Sequence, residues 1–210
     1  MRPLPRLLAL TTDALCRTAD FGVRAAAIVA SGPAAGLVIR APASSAAQQT
    51  AFAERAATLC APPEASLVVH ARPDLARAVH AQGVLQRQQD LAPADARRVL
   101  GTGWIGASVH SAAEAGAAVE AEADFLVAGN VWDTASHPGR PGKGVDWLRE
   151  ICALCGAGHP VFAIGGVTAS RAALARDAGA WGVAAISAAW DVKDPAAAAQ
   201  LLLAPWMEVG

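Results

Sequence analysis

Eight short runs of apolar, strand-forming residues recur along this chain, and a longer helix-type stretch follows each of them. The predicted strands are residues 6–11, 36–40, 66–70, 83–86, 104–109, 125–128, 160–164 and 182–186. The predicted helices are residues 18–30, 44–59, 93–100, 111–122, 145–154, 170–178 and 195–203, with a further one opening at Pro73. This alternation predicts an α/β fold with a parallel sheet. Eight units in 210 residues match a (β/α)8 TIM barrel, with residues 1–210 as a single domain. A doubly wound open sheet is the alternative, because periodicity does not show whether a sheet closes.

The charge balance narrows the choice of partners. Lysine and arginine total 17 and aspartate and glutamate total 18, so the net charge of −1 gives no basic field for nucleic acid or an anionic membrane. No apolar run approaches the roughly 20 residues of a membrane-spanning helix. The apolar run at residues 7–10 is shorter than the roughly 7–15 residues of a secretory core. We therefore expect a cytoplasmic protein without nucleic-acid or membrane partners.

Two glycine-type turns follow the last two predicted strands. Gly165 and Gly166 end the seventh strand, and Ser187 and Ala188 end the eighth. In TIM barrels the functional residues follow the carboxyl ends of the strands, and a phosphate commonly binds after the last two. Backbone N–H groups at such turns, and at the helix starts behind them, favour an anion. The sequence therefore predicts a phosphate site here, although tight turns also need glycine for purely structural reasons.

Two histidines directly follow predicted strands on the same face. His70 ends the third strand and His110 follows the fifth, where an imidazole can exchange a proton near neutral pH. The alternative is that each makes only structural hydrogen bonds.

Residues 129–144 form a long connection rich in glycine, proline and polar residues, as binding loops and lids often are. Cys152 and Cys155 form a C-x-x-C pattern inside a predicted helix, which favours buried thiols over redox or zinc chemistry.

The sequence around these turns resembles the thiamine phosphate synthase superfamily, and within it most closely the thiazole tautomerase (TenI-like) branch. The matching segments are GASVHS at residues 106–111, ADFLVAGNVWDT at 123–134, GKGV at 142–145, VFAIGGVT at 161–168 and AGAWGVAAISA at 178–188. The likeness is strong over residues 67–203. It implies that the backbone of Gly165, Gly166, Ser187 and Ala188 holds the phosphate of a thiazole phosphate, and it adds Arg40 and Thr134 as substrate-binding residues.

The chain departs from the synthase at positions that serve its magnesium and diphosphate. Where the synthase has Asn-Asp-Arg, this chain has His70-Ala71-Arg72, and a methyl group cannot bind a hard cation. The lysine of Gln-x-Arg-x-Lys is Pro42, and the lysine after Pro-Thr-x-Thr is His137. Only Arg40 and Asp90 survive from that set.

It also departs from the tautomerase branch, whose general acid/base is the histidine of Gly-His-Val. Here that residue is Asn130, which can hydrogen-bond a substrate but cannot exchange protons near neutral pH.

Three hypotheses follow from the resemblance. The first is a tautomerase-like isomerase without metal or cofactor, in which His110 or His70 transfers the proton and Asn130 orients the ring. The second is a non-catalytic protein that binds thiazole phosphate or thiamine phosphate. The third is a thiamine phosphate synthase, degenerate, partner-dependent or active. The expected partners are a small-molecule phosphate and further copies of the chain, since the superfamily tends to form homo-oligomers.

Overall fold

The computed structural model describes residues 3–60, 65–134 and 139–207 and shows a closed barrel of eight parallel strands. The strands are β1 Leu7–Leu10, β2 Ala35–Ile39, β3 Ser66–His70, β4 Gly83–Gln86, β5 Trp104–Val109, β6 Phe125–Gly129, β7 Val161–Ile164 and β8 Gly182–Ala185. Each strand pairs with the next, and β8 closes the ring by pairing Val183 with Leu7 of β1. The predicted TIM barrel is confirmed, and the open-sheet alternative is wrong.

The strands are buried on both faces, which explains why they read as continuous apolar runs. In β1, for example, Leu8 and Leu10 belong to the cluster that fills the barrel, whereas Leu7 and Ala9 belong to the layer beneath the helices. The barrel interior is closed by a cluster that includes an edge-to-face pair, Phe125 and Phe162, with ring centroids 5.6 Å apart. This packing leaves the carboxyl ends of the strands as the open end above a filled core.

The helices follow the strands around the outside of the barrel. They are α1 Asp13–Cys16, α2 Phe21–Val29, α3 Ala46–Leu59, α4 Pro73–Ala78, α5 Pro93–Leu100, α6 Ala112–Glu120, α7 Gly144–Cys155, α8 Ala169–Asp177, α9 Ser187–Trp190 and α10 Pro195–Met207. Many helical residues that face the barrel are alanines with no exposed surface, such as Ala25, Ala53, Ala115 and Ala172, so the helices lie close to the sheet. Within the described ranges, no helix is long and apolar enough to cross a bilayer.

Two short helices, α1 and α9, were not predicted. Each has four residues, so neither is long enough to show a helical repeat of apolar positions. Both directly follow strand ends, α1 after β1 and α9 after β8. They therefore add backbone at the open end of the barrel, beside the site.

Candidate active site

A cavity of about 540 Å³ lies at the carboxyl ends of the strands. Leu10, Leu85, Val127 and Ala184 of the barrel interior contribute apolar surface to it. Every residue that the sequence assigned to the site lines this cavity: Arg40, His70, His110, Asn130, Thr134, Gly165, Gly166, Ser187 and Ala188. The structure therefore brings the predicted residues together, while their individual roles stay predictions.

The turn after β7 requires both of its glycines. Gly165 and Gly166 have φ angles of 94° and 63°, in the left-handed region that favours glycine. A Cβ at Gly165 would lie 2.5 Å from Cβ of Asn130, and one at Gly166 would lie 2.4 Å from the carbonyl oxygen of Asp133. Arg171 fixes the turn from behind by donating from Nη1 to Gly166 O over 2.6 Å. The turn thus brings backbone, rather than side chain, to the cavity wall.

Helix α9 supplies the second wall of this end of the cavity. Its hydrogen bonds begin where Ala189 N and Trp190 N donate to Ile186 O, each over 3.0 Å. The N–H groups of Ser187 and Ala188 precede these bonds, as the first N–H groups of a helix do. Together with the turn after β7, they form what we call the amide end of the cavity, made of Gly165, Gly166, Ser187 and Ala188.

His110 is held at the rim by its neighbours. Its backbone N–H donates to Oε2 of Glu114 over 2.7 Å, and its Nδ1 lies 2.7 Å from Gly129 O. Because a carbonyl oxygen only accepts, Nδ1 carries the proton, and Nε2 of the neutral ring is the acceptor. Such a ring can take a proton from a bound ligand through Nε2.

His70 ends β3, two strands from the strand that His110 follows, and lies in a more enclosed position. Burial, together with the positive charges of Arg40 and Arg87, lowers the pKa of His70 to about 4, and Asp90 opposes this. The imidazole is therefore neutral at physiological pH. It can hydrogen-bond a ligand, but it is a poor proton donor there.

Asn130 forms hydrogen bonds within the long loop that follows β6. Its Nδ2 donates to the carbonyl oxygens of Trp132 and Arg140, over 3.4 and 3.2 Å. Gly142 N donates to Oδ1 of Asp133 over 2.7 Å, which ties the two ends of the loop together. The amide nitrogen thus serves the loop, so only the amide oxygen is left for the predicted orientation of a substrate ring. Residues 135–138, including His137, lie outside the described residues.

Several further polar residues line the cavity, to which the sequence analysis gave no individual role. Lys143 donates from Nζ to Gly129 O over 2.8 Å, lies 4.8 Å from the centre of the Trp147 ring, and has its pKa lowered by burial. Arg87 follows β4 and also faces the cavity. A signal for Lys143 existed, because it is one of only two lysines in the chain and ends the glycine-rich loop. The remaining polar side chains of this kind are those of Thr12, Ser108 and Arg140.

The residues do not fit the magnesium ion that the synthase resemblance implies. Ala71, Pro42 and Asp90 line a side cavity of about 250 Å³, which shares His70 and Arg87 with the main cavity. Ala71 offers no oxygen ligand, and Asp90 is engaged by Arg87. Among the described residues, no three His, Cys, Asp or Glu side chains converge in a metal-binding arrangement.

The C-x-x-C pair lies in α7, away from the cavity. Burial and the neighbouring Cys155 raise the pKa of Cys152 to about 11, and burial also raises that of Cys155. Both thiols are therefore protonated at neutral pH and poor nucleophiles. The prediction of structural thiols agrees with this environment.

Comparison with known proteins identifies the family to which this arrangement belongs. The family model for thiamine monophosphate synthase (TMP-TENI) matches residues 7–189. The chain is a member of that family. Within the thiamine monophosphate synthase family, it is 41% identical over 152 residues to the thiamine-phosphate synthase of Synechococcus sp. (strain WH7803), covering 72% of this chain and 42% of that protein. It is 46% identical over 158 residues to the thiamine biosynthesis bifunctional protein ThiM/ThiE of Symbiobacterium thermophilum, covering 74% and 32%.

A solved structure agrees with the family assignment. Thiamine phosphate pyrophosphorylase from Pyrococcus furiosus superposes with a TM-score of 0.82 at 29% identity, covering 98% of each chain. The chain thus spans less than half of the two curated relatives but 98% of the chain in this structure. The first of these relatives is named a thiamine-phosphate synthase, and none of the three carries a tautomerase name. The synthase alternative is therefore better supported than the tautomerase interpretation.

Proposed function

We propose that this chain is a thiamine phosphate synthase that joins a thiazole phosphate to a pyrimidine carrying a diphosphate leaving group. In this reaction the carbon–oxygen bond to the diphosphate breaks, and its electron pair leaves on the diphosphate. The lone pair of the thiazole nitrogen then forms the new carbon–nitrogen bond. The reaction needs no oxidant or reductant, but it needs two anion sites in one cavity.

The observation that carries the proposal is that this cavity has two ends suited to anions. The amide end lies at β7 and β8, whereas Arg40 and Arg87 follow β2 and β4. In the closed ring, β4 is four strands from β8, so Arg87 lies across the barrel from Ser187 and Ala188, whereas β2, which carries Arg40, is two strands from β8. The apolar floor between them suits the two heteroaromatic rings. The relatives named thiamine-phosphate synthase and thiamine phosphate pyrophosphorylase support thiamine phosphate as the product.

A synthesis assay tests the proposal directly. The chain is incubated with thiazole phosphate and pyrimidine diphosphate, once with EDTA and once with Mg²⁺, and thiamine phosphate is quantified by its fluorescence after oxidation to a thiochrome. We expect thiamine phosphate and diphosphate in equal amounts. Gly166→Ala should lower the rate at least about 10-fold, because its Cβ meets the backbone of the loop and displaces the amides.

Gly116→Ala is the matched control for this variant. Gly116 lies inside α6, where a Cβ meets no atom within 4 Å, so the rate should not change. Absence of product under both conditions contradicts the synthase proposal. If calorimetry then still shows that the chain binds thiazole phosphate, the hypothesis of a non-catalytic binding protein replaces the synthase proposal.

His110 favours the tautomerase as a second candidate. Its Nδ1 is fixed on Gly129 O, which leaves Nε2 of the neutral ring as the acceptor on a residue that lines the cavity. The test is proton exchange of a thiazole carboxylate phosphate in deuterated buffer, followed by NMR. The tautomerase candidate requires exchange by the wild type and its loss in His110→Ala, and it fails if the wild type does not exchange.

A further inference from the structure

Arg87 forms an unusually complete pair with Asp90. Its Nη2 lies 2.7 Å from Oδ1 and its Nε 3.1 Å from Oδ2, and its backbone N–H donates to Oδ2 over 2.8 Å. The Asp90 side chain is 11% exposed, whereas the Arg87 side chain is 41% exposed. Although burial alone raises it, the pKa of Asp90 is held below its usual range by the hydrogen bonds and charge of Arg87. Both carboxylate oxygens are thus committed to the guanidinium group.

This pair lies where the synthase resemblance places a divalent cation. Asp90 is the one surviving acidic residue of that machinery, and Ala71 has replaced its partner. Both residues line the side cavity together with Arg87. The positive charge next to Asp90 in this chain is therefore a guanidinium group that belongs to the protein.

Arg40 places a second positive charge near the first. Arg40 and Arg87 line the main cavity, and each contributes to the lowered pKa of His70, which lies on β3 between β2 and β4. Two guanidinium groups therefore lie close to one neutral imidazole. Guanidinium groups bind phosphate oxygens through paired N–H donors, and a diphosphate offers enough oxygens for both.

We propose that Arg87 replaces the divalent cation in this chain, so that Arg40, Arg87 and His70 form a metal-independent subsite for a diphosphate group. This inference rests on the proposed function and specifies how one of its substrates is held. Arg87 anchors on Asp90 with one side of its guanidinium group and offers the remaining N–H donors to the ligand.

Calorimetric titration with inorganic diphosphate tests the subsite without requiring turnover. We expect the wild type to bind diphosphate in EDTA, with no gain in affinity when Mg²⁺ is supplied. Arg87→Gln and Arg40→Gln should each weaken binding in EDTA at least about 10-fold, because each removes a charge-assisted pair of hydrogen bonds. Arg98→Gln is the matched control: it removes the same charge from an exposed residue of α5, and should bind like the wild type.

A double variant tests whether Mg²⁺ can take over the role of the Arg87 guanidinium group. In Arg87→Gln/Ala71→Asp, Asp90 is released and a second carboxylate faces the same side cavity. Ala71 has a φ of 61°, which aspartate tolerates better than most residues, so the substitution suits the backbone. We expect diphosphate binding by this variant to be weak in EDTA and at least about 10-fold tighter with Mg²⁺.

Two results would overturn the subsite: a wild type that binds diphosphate only with Mg²⁺, or an Arg87→Gln variant that binds it as tightly as the wild type in EDTA. Thermal unfolding of each variant shows that a loss of binding is not a loss of fold. The proposed function fails separately. If the chain binds diphosphate without metal but makes no thiamine phosphate, the synthase proposal is contradicted and the subsite is supported. If both synthesis and diphosphate binding require Mg²⁺, the synthase proposal is supported and the subsite is contradicted.

Discussion

Single residues decide the electrostatics of this cavity, and His70 shows it most clearly. It lies between two arginines in an enclosed position, and its pKa is lowered from 6.5 to about 4. The unfolded chain therefore binds a proton at His70 in a pH range where the folded chain does not. Protonation at acidic pH must then favour unfolding.

This linkage gives a stability prediction. The stabilising contribution of a neutral His70 is complete above the unfolded-state pKa of 6.5, and it is lost as the pH falls from there towards 4. The free energy of unfolding should thus decrease by up to about 3 kcal/mol over this range because of His70 alone. Urea unfolding at several pH values measures it, and His70→Gln should show a correspondingly smaller decrease.

The prediction is contradicted if the free energy of unfolding of His70→Gln decreases as steeply as that of the wild type when the pH is lowered. In that case, groups other than His70 would cause the acid sensitivity. His80→Gln controls for the general loss of a histidine, because this exposed residue follows α4 and lies outside the cavity.

At the scale of elements, the side-chain caps at the N-termini of α6 and α3 can be compared, because only one of these two caps contacts the segment that lines the cavity. Ser111 caps α6 by accepting from Glu114 N over 3.1 Å, and the Glu114 carboxylate accepts from the backbone of His110. Ser45 caps α3 in a full capping box with Gln48. The first cap adjoins a cavity residue, whereas the residues of the second do not line the cavity.

The two caps therefore make a matched pair of variants. Ser111→Ala and Ser45→Ala should each lower the free energy of unfolding by about 1 kcal/mol. Only Ser111→Ala should also lower the rate of synthesis, because it loosens the segment that carries His110, which forms part of the cavity wall around both substrates. Denaturant unfolding and the synthesis assay measure the two effects, and an equal effect of both variants on the rate would contradict this coupling.

The strands were largely predictable from the sequence, and the short helices were not. The predicted strand 66–70 and strand 83–86 coincide with β3 and β4, because turns bound their apolar runs. Helix α9 has no such signal: its four residues form a helix only because β8 ends at Ala185 and the chain turns at Ile186. Ser187 and Ala188 were assigned to the phosphate site from their position after the eighth predicted strand, without any helical pattern to indicate α9.

At the scale of the whole molecule, the closed ring converts positions along the chain into positions across a cavity. The nine predicted site residues come from six different strand ends, and all of them line one space. The sequence could place residues at strand ends, but not pairs across the ring. Arg87 and Asp90 are only three residues apart, but the role of their pair depends on Arg40, His70 and Ala71, which lie at the ends of β2 and β3.

The most direct test of the account is a crystal structure of the chain with bound thiazole phosphate. We predict phosphate oxygens within hydrogen-bonding distance of the N–H groups of Gly166 and Ser187, with the thiazole ring over the apolar floor and Arg40 and Arg87 left to a second anion. A phosphate bound instead between Arg40 and Arg87, or outside this cavity, would contradict the account.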